Sequence, residues 1–528
     1  MEEIYNKITN PDEWGIDNNE TSEIQKFYAN QSVFLTGCTG FLGKCIVEKL
    51  LRSCPDLKKI YLLVRPKKIS AQERIKEYFN NVLFDELKKL QPKFTSKIVV
   101  IKGNLESENL GLSDEDKCVI INEATIFIHN ASNVKFDLRI SDSLSCNVFG
   151  TKNMLDLACQ CKYIKVFTYV STAYSNCHEK QIFEKCYPSP GDLNLIQNCI
   201  DTDRSTPDGM SSAAIKDFIS PWENMYVFGK ATAENLVKKY AEKSTFRCTI
   251  FRPSIIMSSF QEPIPGWTGN LNGPVIMFLG SGLGLVHVAY QMTNPFDMVP
   301  VDMCTNGLIA TTWDAVVNQN ETGKVFVYNY ASSVVNPVSI KKFEKMAYER
   351  GCTAPAIKSA PHFFHITNSV VLFLIGHILG HCIPAIFADI VLLASGKKPF
   401  CVSIVYKATL WLPTVCLFAN GNWRIYVNET TKVWDRMNKR DNELFYNDLR
   451  SFDWNTYCYY YWAGLRLYIM KDSISTVKDA KKKFDLYKNI LHILFYIILL
   501  LFVYISWDYI VIMFKPFLEL IKLVNSFI

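Results

Sequence analysis

The sequence predicts an α/β protein with a doubly wound parallel sheet, followed by a mainly helical region and a membrane segment. Three observations support this prediction. Short apolar runs alternate with helix-length stretches over the first 330 residues, a glycine-rich turn joins the first run to a helical pattern, and the composition becomes more apolar beyond about residue 360. A chain of 528 residues also exceeds the roughly 250 to 300 residues of a single core.

The sheet prediction follows from the order of the apolar runs. Residues 1–30 are a polar lead-in; SVFLT at 32–36 and IYLLV at 60–64 then flank a helical pattern, which is typical of a βαβ unit. Further runs lie at 97–101, 124–129, 166–170 and 248–251. This alternation predicts parallel strands with helices on both faces.

The predicted organisation has four parts. Residues 31–355 form a sheet domain with substrate-binding insertions, 356–475 a helical C-terminal domain, and 476–528 a basic linker and membrane anchor, after the lead-in. No internal repeat interrupts this order.

Composition excludes several classes of protein. Apolar residues make up 49% of the chain and charged residues 20%, which excludes a disordered chain. A net charge of +6 gives no reason to expect nucleic-acid binding. The 17 cysteines show no repeated spacing, and the polar N-terminus lacks a signal-peptide core, so we expect a reducing, cytosol-facing environment.

Two C-terminal segments are apolar enough to contact a membrane. Residues 369–394 contain His377, His381, Pro384 and Asp389, which favour an interfacial, re-entrant or substrate-lining segment. Residues 490–507 are free of formal charge if His492 is neutral, and predict a transmembrane helix, with a buried soluble helix as the alternative. Lysines that precede this segment place the large N-terminal part in the cytosol.

The glycine-rich turn predicts a dinucleotide site. Gly37, Gly40 and Gly43 follow the first apolar run and open a helix, so a pyrophosphate can approach backbone N–H groups at the helix N-terminus. Arg65 stands at the end of the second run, where an NAD site offers an acidic residue. A guanidinium there pairs with a 2′-phosphate and favours NADPH, whereas a solvated surface arginine is the alternative.

A tyrosine and a lysine predict a proton donor. Tyr226 and Lys230 are four residues apart and share one helix face. A nearby ammonium lowers the pKa of a phenol, which suits the pair to acid catalysis. Ser171 and Thr172 end another predicted strand with hydroxyls that can hold a carbonyl oxygen. The His377 and His381 spacing lacks further ligands, so we expect no metal site.

These motifs resemble the extended short-chain dehydrogenase/reductases and, more closely, the fatty acyl-CoA reductases. The matching segments are residues 36–43 (TGCTGFLG), 62–65 (LLVR), 147–151 (NVFGT), 169–176 (YVSTAYSN), 226–230 (YVFGK) and 252–255 (RPSI). Residues 266–267, 270–274 and 299–302 are similar to reductase-specific segments, and 422–423, 448–454 and 464–466 to the male-sterility-type C-terminal domain.

The resemblance implies a Rossmann-type fold and a role for each site residue. Tyr226 would be the general acid, Lys230 would bind the nicotinamide ribose, Thr172 would orient the carbonyl with Ser171 as a rival, and Asn147 would support a proton relay. The cofactor-binding residues it implies are Thr36, Gly37, Thr39, Gly40, Phe41, Leu42, Gly43, Arg65, Asn104, Leu105, Tyr226, Lys230, Pro253, Ser254 and Ile255.

Two positions depart from the pattern of the resembling family. Asn104 stands where relatives usually have an aspartate for the adenine, although its amide can still accept a hydrogen bond. Residues 129–132 (HNAS) are more polar than the usual alanine pair. Both departures concern the cofactor and leave the catalytic groups in place.

The function that the resemblance implies is NADPH-dependent reduction of long-chain fatty acyl-CoA to fatty alcohol through an aldehyde. The alternatives are a membrane-associated NADP-dependent steroid or sugar dehydrogenase, or an idle scaffold that binds lipid. We expect contact with membrane lipid, with the endoplasmic reticulum favoured over the peroxisomal membrane or lipid droplets. The acyl chain length, the release of aldehyde and the oligomeric state stay open.

Overall fold

The computed structural model describes residues 21–66, 68–134, 138–269, 274–290, 294–319, 321, 323–361, 364–494, 496–497, 500–501 and 504–505. Its chain forms two compact units. The first unit comprises residues 1–276, 291–346 and 406–469, and the second comprises 277–290, 347–405 and 470–528. The domain boundaries expected from the sequence stay predictions.

The first unit is built on a parallel sheet of seven strands, which confirms the predicted fold class. Its strands are β1 (Ser32–Thr36), β2 (Lys59–Val64), β3 (Ile98–Lys102), β4 (Ile126–His129), β5 (Val166–Val170), β7 (Arg247–Pro253) and β11 (Val325–Tyr330), in the order β11-β7-β5-β4-β1-β2-β3. The order reverses at β1, and parallel sheets of this kind bind ligands at the carboxyl ends of the strands beside the reversal.

Short strand pairs complete the sheet structure. In the first unit, β8 (Ile255–Met257) pairs with β10 (Met298–Pro300), and β6 (Gln181–Ile182) pairs with β13 (Arg424–Ile425). In the second unit, β9 (Val288–Tyr290) pairs with β12 (His365–Thr367). The β6–β13 pair joins the sheet region to the C-terminal part of the first unit.

Helices fill the connections between strands. The described α-helices are Glu23–Tyr28, Phe41–Ser53, Ala71–Tyr78, Asp85–Leu90, Asp114–Glu123, Ile140–Leu144, Gly150–Gln160, Leu193–Ser205, Ser212–Ile219, Met225–Ala241, Pro274–Gly282, Val301–Val317, Ile340–Thr353, Val370–His377, Ile383–Ala394, Cys401–Asn420, Asn428–Arg436, Lys439–Leu444 and Trp454–Gly464. Residues 477–494 are also helical, and π-helical turns lie at Ser145–Phe149, Ile378–Cys382 and Leu465–Ile469.

The strands are apolar because the sheet is covered on both faces. Phe34, Phe127 and Phe167 lie on three adjacent strands and are fully buried. Phe34 meets Phe127 edge to face, with ring centroids 5.2 Å apart, and Phe127 stacks near Phe167 at 6.2 Å. This packing fixes the register of β1, β4 and β5, whose ends carry the site.

One helix among the described residues is long and apolar enough to cross a membrane, by length and composition, and it is Val370–Ala394 in the second unit. It coincides with the segment expected to be interfacial or re-entrant. The transmembrane prediction for 490–507 falls partly on residues 495, 498, 499, 502, 503, 506 and 507, which lie outside the described residues.

Candidate active site

The glycine-rich turn packs closely against neighbouring backbone because it has glycine at three positions. Gly37 has φ +71°, and a Cβ there would lie 2.7 Å from the backbone nitrogen of Ala131. A Cβ on Gly43 would lie 2.1 Å from the Gly37 carbonyl oxygen. The helix Phe41–Ser53 begins after Gly40, which offers no side chain to cap it. Its first N–H groups therefore suit an anion.

The other residues of the turn have distinct surroundings. Leu42 is buried, and the Phe41 ring stacks on Trp267 with centroids 5.3 Å apart. Thr36 ends β1 and bonds through Oγ1 to the ring of His129, 2.8 Å away. Sequence analysis did not connect Trp267 to the turn, because 226 residues separate it from Phe41 and only the fold brings the rings together.

Two arginines lie beyond β2. Arg65 is 55% exposed and approaches the carboxylate of Glu106 at 3.7 Å. Arg74, on the helix Ala71–Tyr78, donates to the Arg65 carbonyl and to Thr39 Oγ1, the latter at 3.5 Å. Arg74 therefore brings a second cation to the glycine-rich turn. Sequence reasoning missed it; the available signal was a basic residue in the first turn of the helix that follows Arg65.

Asn104 and Leu105 follow β3. The Asn104 backbone N–H donates to the Leu110 carbonyl at 2.8 Å, and its own carbonyl accepts from Ser107 N–H at 3.1 Å. Leu105 is buried, and a Cβ on Gly150 would lie 3.0 Å from its Cβ. The backbone of this loop is thus held by local bonds while the Asn104 side chain is half-buried.

Tyr226 is partly buried near the start of the helix Met225–Ala241, which Asn224 caps by accepting from Val227 N–H. The Thr172 side chain lies close enough to the Tyr226 hydroxyl to act on its pKa. Burial raises the pKa of Tyr226 to about 12, and the Thr172 hydrogen bond opposes that rise. The phenol is therefore protonated at neutral pH and able to donate its proton.

Lys230 lies one turn further along the same helix and points to the sheet. Its Nζ donates to the Val170 carbonyl at 2.7 Å and lies 4.8 Å from the centre of the Tyr169 ring. Burial lowers the pKa of Lys230 to about 7. We expected the ammonium to lower the pKa of Tyr226, but burial dominates there and raises it.

Ser171 and Thr172 are adjacent but differ in their partners. Ser171 Oγ donates to Glu234 Oε1 at 2.6 Å. Glu234 also forms a fully buried ion pair with Arg252, at 2.6 Å. Ser171 is thus part of a charged network, whereas Thr172 contacts Tyr226. Sequence reasoning named both hydroxyls and missed Glu234 and Arg252, whose pairing across 18 residues leaves no local signal.

Asn147 lies in the π-helical turn Ser145–Phe149. Its Oδ1 accepts from Ser132 Oγ at 3.0 Å and from Asn133 N–H at 2.7 Å, and its Nδ2 donates to the Asn133 carbonyl at 3.0 Å. The amide therefore holds the loop that follows β4. The predicted part of Asn147 in a proton relay stays a prediction.

The backbone after β7 is largely engaged within the protein. Pro253 has no N–H, and its carbonyl accepts from Ala173 N–H at 2.9 Å. The N–H groups of Ser254 and Ile255 donate to the carbonyls of Tyr330 and Asp297. The Ser254 hydroxyl is buried and has no hydrogen-bond partner within the described part of the protein.

The histidines of the apolar helix belong to the second unit. His377 Nδ1 and His381 Nδ1 are 2.9 Å apart, and His381 Nε2 accepts from the backbone N–H of His287 at 3.0 Å. Over the residues that the structure describes, no three histidine, cysteine or carboxylate side chains converge as metal ligands.

Sequence relatives share nearly the whole chain. Two family models, both described as male sterility protein, match residues 35–308 and 380–472, and the first is an NAD-binding model. Fatty acyl-CoA reductase wat of Drosophila melanogaster is 34% identical over 90% of this chain and 90% of its own. Fatty acyl-CoA reductase 1 of Homo sapiens is 33% identical over 88% of this chain and 90% of its own.

Solved structures share the fold. The reductase domain of a nonribosomal peptide synthetase from Mycobacterium tuberculosis is similar with a TM-score of 0.57, 17% identity and coverage of 85% of this chain and 97% of that domain. The terminal R domain of the myxalamid biosynthetic pathway is similar with a TM-score of 0.55 and 19% identity. The match covers 83% of this chain and 91% of that domain. The family models and the sequence relatives show that the chain belongs to the fatty acyl-CoA reductase family and is an oxidoreductase with a nicotinamide cofactor.

Proposed function

We propose that this chain reduces long-chain fatty acyl-CoA to the fatty alcohol through an aldehyde, with two equivalents of NADPH. The observation that carries the proposal is the neighbouring pair of hydroxyl groups on Tyr226 and Thr172, with Lys230 one helical turn away. Both reductions develop negative charge on one oxygen, so a single pair of donors can serve both steps.

The residues present fit a dinucleotide phosphate. Gly37 and Gly43 keep the turn free of side chains, and Arg65 and Arg74 supply cations beside it for a 2′-phosphate. The bound nicotinamide would supply the hydride for each reduction.

The chain's own groups act on the substrate oxygen. Thr172 and Tyr226 donate to the thioester carbonyl and stabilise the oxyanion that forms when a hydride adds to the carbonyl carbon. The C–S bond then breaks, the carbonyl re-forms as an aldehyde, and coenzyme A leaves as the thiolate. In the second reduction the aldehyde becomes an alkoxide, which takes the proton from Tyr226.

Lys230 supports these steps through its position. Its Nζ holds the Val170 carbonyl and so fixes the strand end that precedes Ser171 and Thr172. The pKa of about 7 lets it exchange a proton near neutral pH. We propose that this lysine binds the nicotinamide ribose and restores the proton to Tyr226.

Product analysis tests the proposal. Membranes that contain the protein are incubated with a ladder of acyl-CoAs and either NADPH or NADH, and alcohol, aldehyde and free coenzyme A are measured, with Tyr226→Phe as the matched control. We expect alcohol and two NADPH consumed per coenzyme A released. Turnover of steroid or sugar alcohols without acyl-CoA reduction would support the dehydrogenase alternative, and no turnover of either would support the idle scaffold.

We also propose that the chain is held at a membrane, with its first unit in the cytosol and the endoplasmic reticulum as the site. The helix Val370–Ala394 has its small and polar side chains towards the protein: Gly376 packs on Val288, Gly380 packs on His287, and Asp389 accepts three backbone N–H groups from Phe400, Cys401 and Val402.

The outward side of that helix is aliphatic and aromatic. Val371 is 65% exposed and Phe387 69%, and Ile378 and Leu379 lie between them. A helix in water has the reverse pattern, with its apolar stripe buried, whereas 25 residues span about 37 Å, enough for a bilayer core. These observations favour lipid as the neighbour of the exposed face.

Membrane fractionation tests this localisation. Ile378→Asp with Phe387→Asp should release protein under an alkaline wash, whereas Leu90→Asp, at an exposed leucine of the first unit, should not. A truncation after Lys488 measures the part played by residues 490–507. If the Ile378→Asp/Phe387→Asp variant and the truncated protein both stayed fully in the membrane, the result would contradict a membrane role for Val370–Ala394 and for residues 490–507.

A further inference from the structure

His129 is a buried histidine that the proposed mechanism does not use. It ends β4 and is 1% exposed. Both ring nitrogens are hydrogen-bonded, Nδ1 to Thr36 Oγ1 at 2.8 Å and Nε2 to Thr151 Oγ1 at 3.1 Å. The ring therefore bridges the glycine-rich turn and the helix Gly150–Gln160.

The two threonines fix which nitrogen carries the proton. Thr151 Oγ1 donates its one hydrogen to the Asn147 carbonyl at 2.7 Å, so it accepts from His129 Nε2–H. Nδ1 then has no hydrogen and accepts from Thr36 Oγ1–H, whose oxygen accepts from Ala131 N–H at 3.1 Å. All of these hydrogen bonds run in one direction.

The imidazole stays neutral in the folded protein. Burial, with a smaller contribution from the nearby Lys230 charge, lowers the pKa of His129 to about 3. Its neighbouring rings are Phe167 and Tyr169, and its two ring nitrogens bond to the neutral hydroxyls of Thr36 and Thr151. The hydrogen-bond pattern above therefore holds across the working pH range.

Each end of the chain of bonds reaches a different part of the site. Thr36 is the first residue of the glycine-rich turn, and Gly37 follows it against Ala131. At the other end, Asn147 lies in the π-helical turn, and a Cβ on Gly229 would lie 3.4 Å from the Asn147 Cβ. Gly229 belongs to the helix of Tyr226 and Lys230.

We propose that His129 is a positioning residue that holds the coenzyme-binding turn through Nδ1 and the catalytic helix through Nε2. The inference rests on the proposed function. It predicts that the two nitrogens have separable effects, on coenzyme affinity and on turnover.

Amide side chains can separate the two nitrogens. In His129→Asn the amide oxygen takes the place of Nδ1, so the bond from Thr36 is kept and the bond to Thr151 is lost. In His129→Gln the longer amide reaches Thr151 as Nε2 does and leaves Thr36 unpaired. Thr151→Val and Thr36→Val remove the same bonds from the other side, and Thr151→Ser and Thr36→Ser restore them.

The experiment measures the NADPH dissociation constant by coenzyme fluorescence and kcat at saturating NADPH. His129→Asn and Thr151→Val should lower kcat about ten-fold with the dissociation constant unchanged, the size expected from one hydrogen bond. His129→Gln should weaken NADPH binding about ten-fold with kcat within about two-fold, and Thr36→Val should weaken NADPH binding by a similar factor. The serine variants should recover the wild-type value of the affected parameter.

Equal changes in both parameters for the two His129 variants, or a fall in thermal stability alone, would overturn the inference and make His129 a packing residue. Should both His129 variants fail to fold, the threonine variants decide the question. The proposed function fails separately: wild-type protein would then bind NADPH without reducing acyl-CoA, and the NADPH dissociation constants would still test the Nδ1 half of the inference.

Discussion

Adjacent hydroxyls at Ser171 and Thr172 give the sharpest test of the site, because each has its own partner. Thr172→Val removes the hydroxyl that bonds Tyr226. Ser171→Ala removes the 2.6 Å bond to Glu234. We expect the first substitution to reduce turnover and the second to reduce stability.

The magnitudes follow from the contacts. Loss of one donor to a developing oxyanion typically costs 10² to 10³ in turnover, which we expect of Thr172→Val. Glu234 keeps its two bonds from Arg252, at 2.8 and 2.6 Å, when Ser171 Oγ is removed. Ser171→Ala should therefore cost about 1.5 kcal/mol, the lower end for a bond to a charged group, and lower the melting temperature by roughly 2 °C in a unit of this size.

Steady-state kinetics and thermal denaturation of the same preparations measure both effects. Thr172→Ser is the matched control, since it keeps the hydroxyl and should retain turnover within about ten-fold. A hundred-fold loss of turnover in Ser171→Ala, with an unchanged melting temperature and active Thr172→Val, would reverse the assignment and show that Ser171 holds the carbonyl.

Three further predictions concern single groups. Tyr226→Phe should lower kcat at least about 100-fold while NADPH affinity, measured by fluorescence titration, changes little. Arg65→Ala and Arg74→Ala should each raise the KM for NADPH more than the KM for NADH, because only NADPH loses an arginine–phosphate interaction, worth up to about 1.5 to 3 kcal/mol of binding free energy. Equal effects on both coenzymes would show that neither arginine binds the phosphate. Burial holds the pKa of His129 at about 3, below its ordinary 6.5. The unfolded state therefore binds an extra proton between these two pH values. The free energy of unfolding should be highest above pH 6.5 and should fall below it by at most about 1.4 kcal/mol per pH unit. Urea denaturation at pH 7, 6, 5 and 4 should show a smaller fall for His129→Asn, and identical curves would refute the burial argument.

The fold was predictable because its signals are local. Strands covered on both faces must be apolar throughout, and the runs at 32–36, 60–64 and 166–170 are buried strands of one sheet. The glycine-rich turn was predictable for a similar reason, since its spacing reflects contacts within a few residues. Gly43 must lack a side chain because Gly37 lies beside it.

Contacts between distant segments left no such signal. Arg252 pairs with Glu234, and its guanidinium also holds the carbonyls of Phe183 and Lys185. A charged residue at the end of an apolar strand predicts solvent exposure, yet Arg252 is fully buried. Its charge is acceptable there only because a carboxylate and two carbonyls meet it. Those partners come from the helix Met225–Ala241 and from the loop that follows β6.

The polar residues 129–132 depart from the family pattern as one string, but in the fold each polar side chain has a different partner. Read as a string, HNAS suggests a change in coenzyme affinity. In the structure, His129 points between Thr36 and Thr151, Asn130 Nδ2 donates to the Gly37 carbonyl at 3.3 Å, and Ser132 Oγ donates to Asn147. The extra polar atoms at the end of β4 thus form hydrogen bonds both to the glycine-rich turn and to the π-helical turn. A polar substitution beside a binding site therefore changes affinity only through the partner that its side chain reaches, and neighbouring residues along a strand reach different partners.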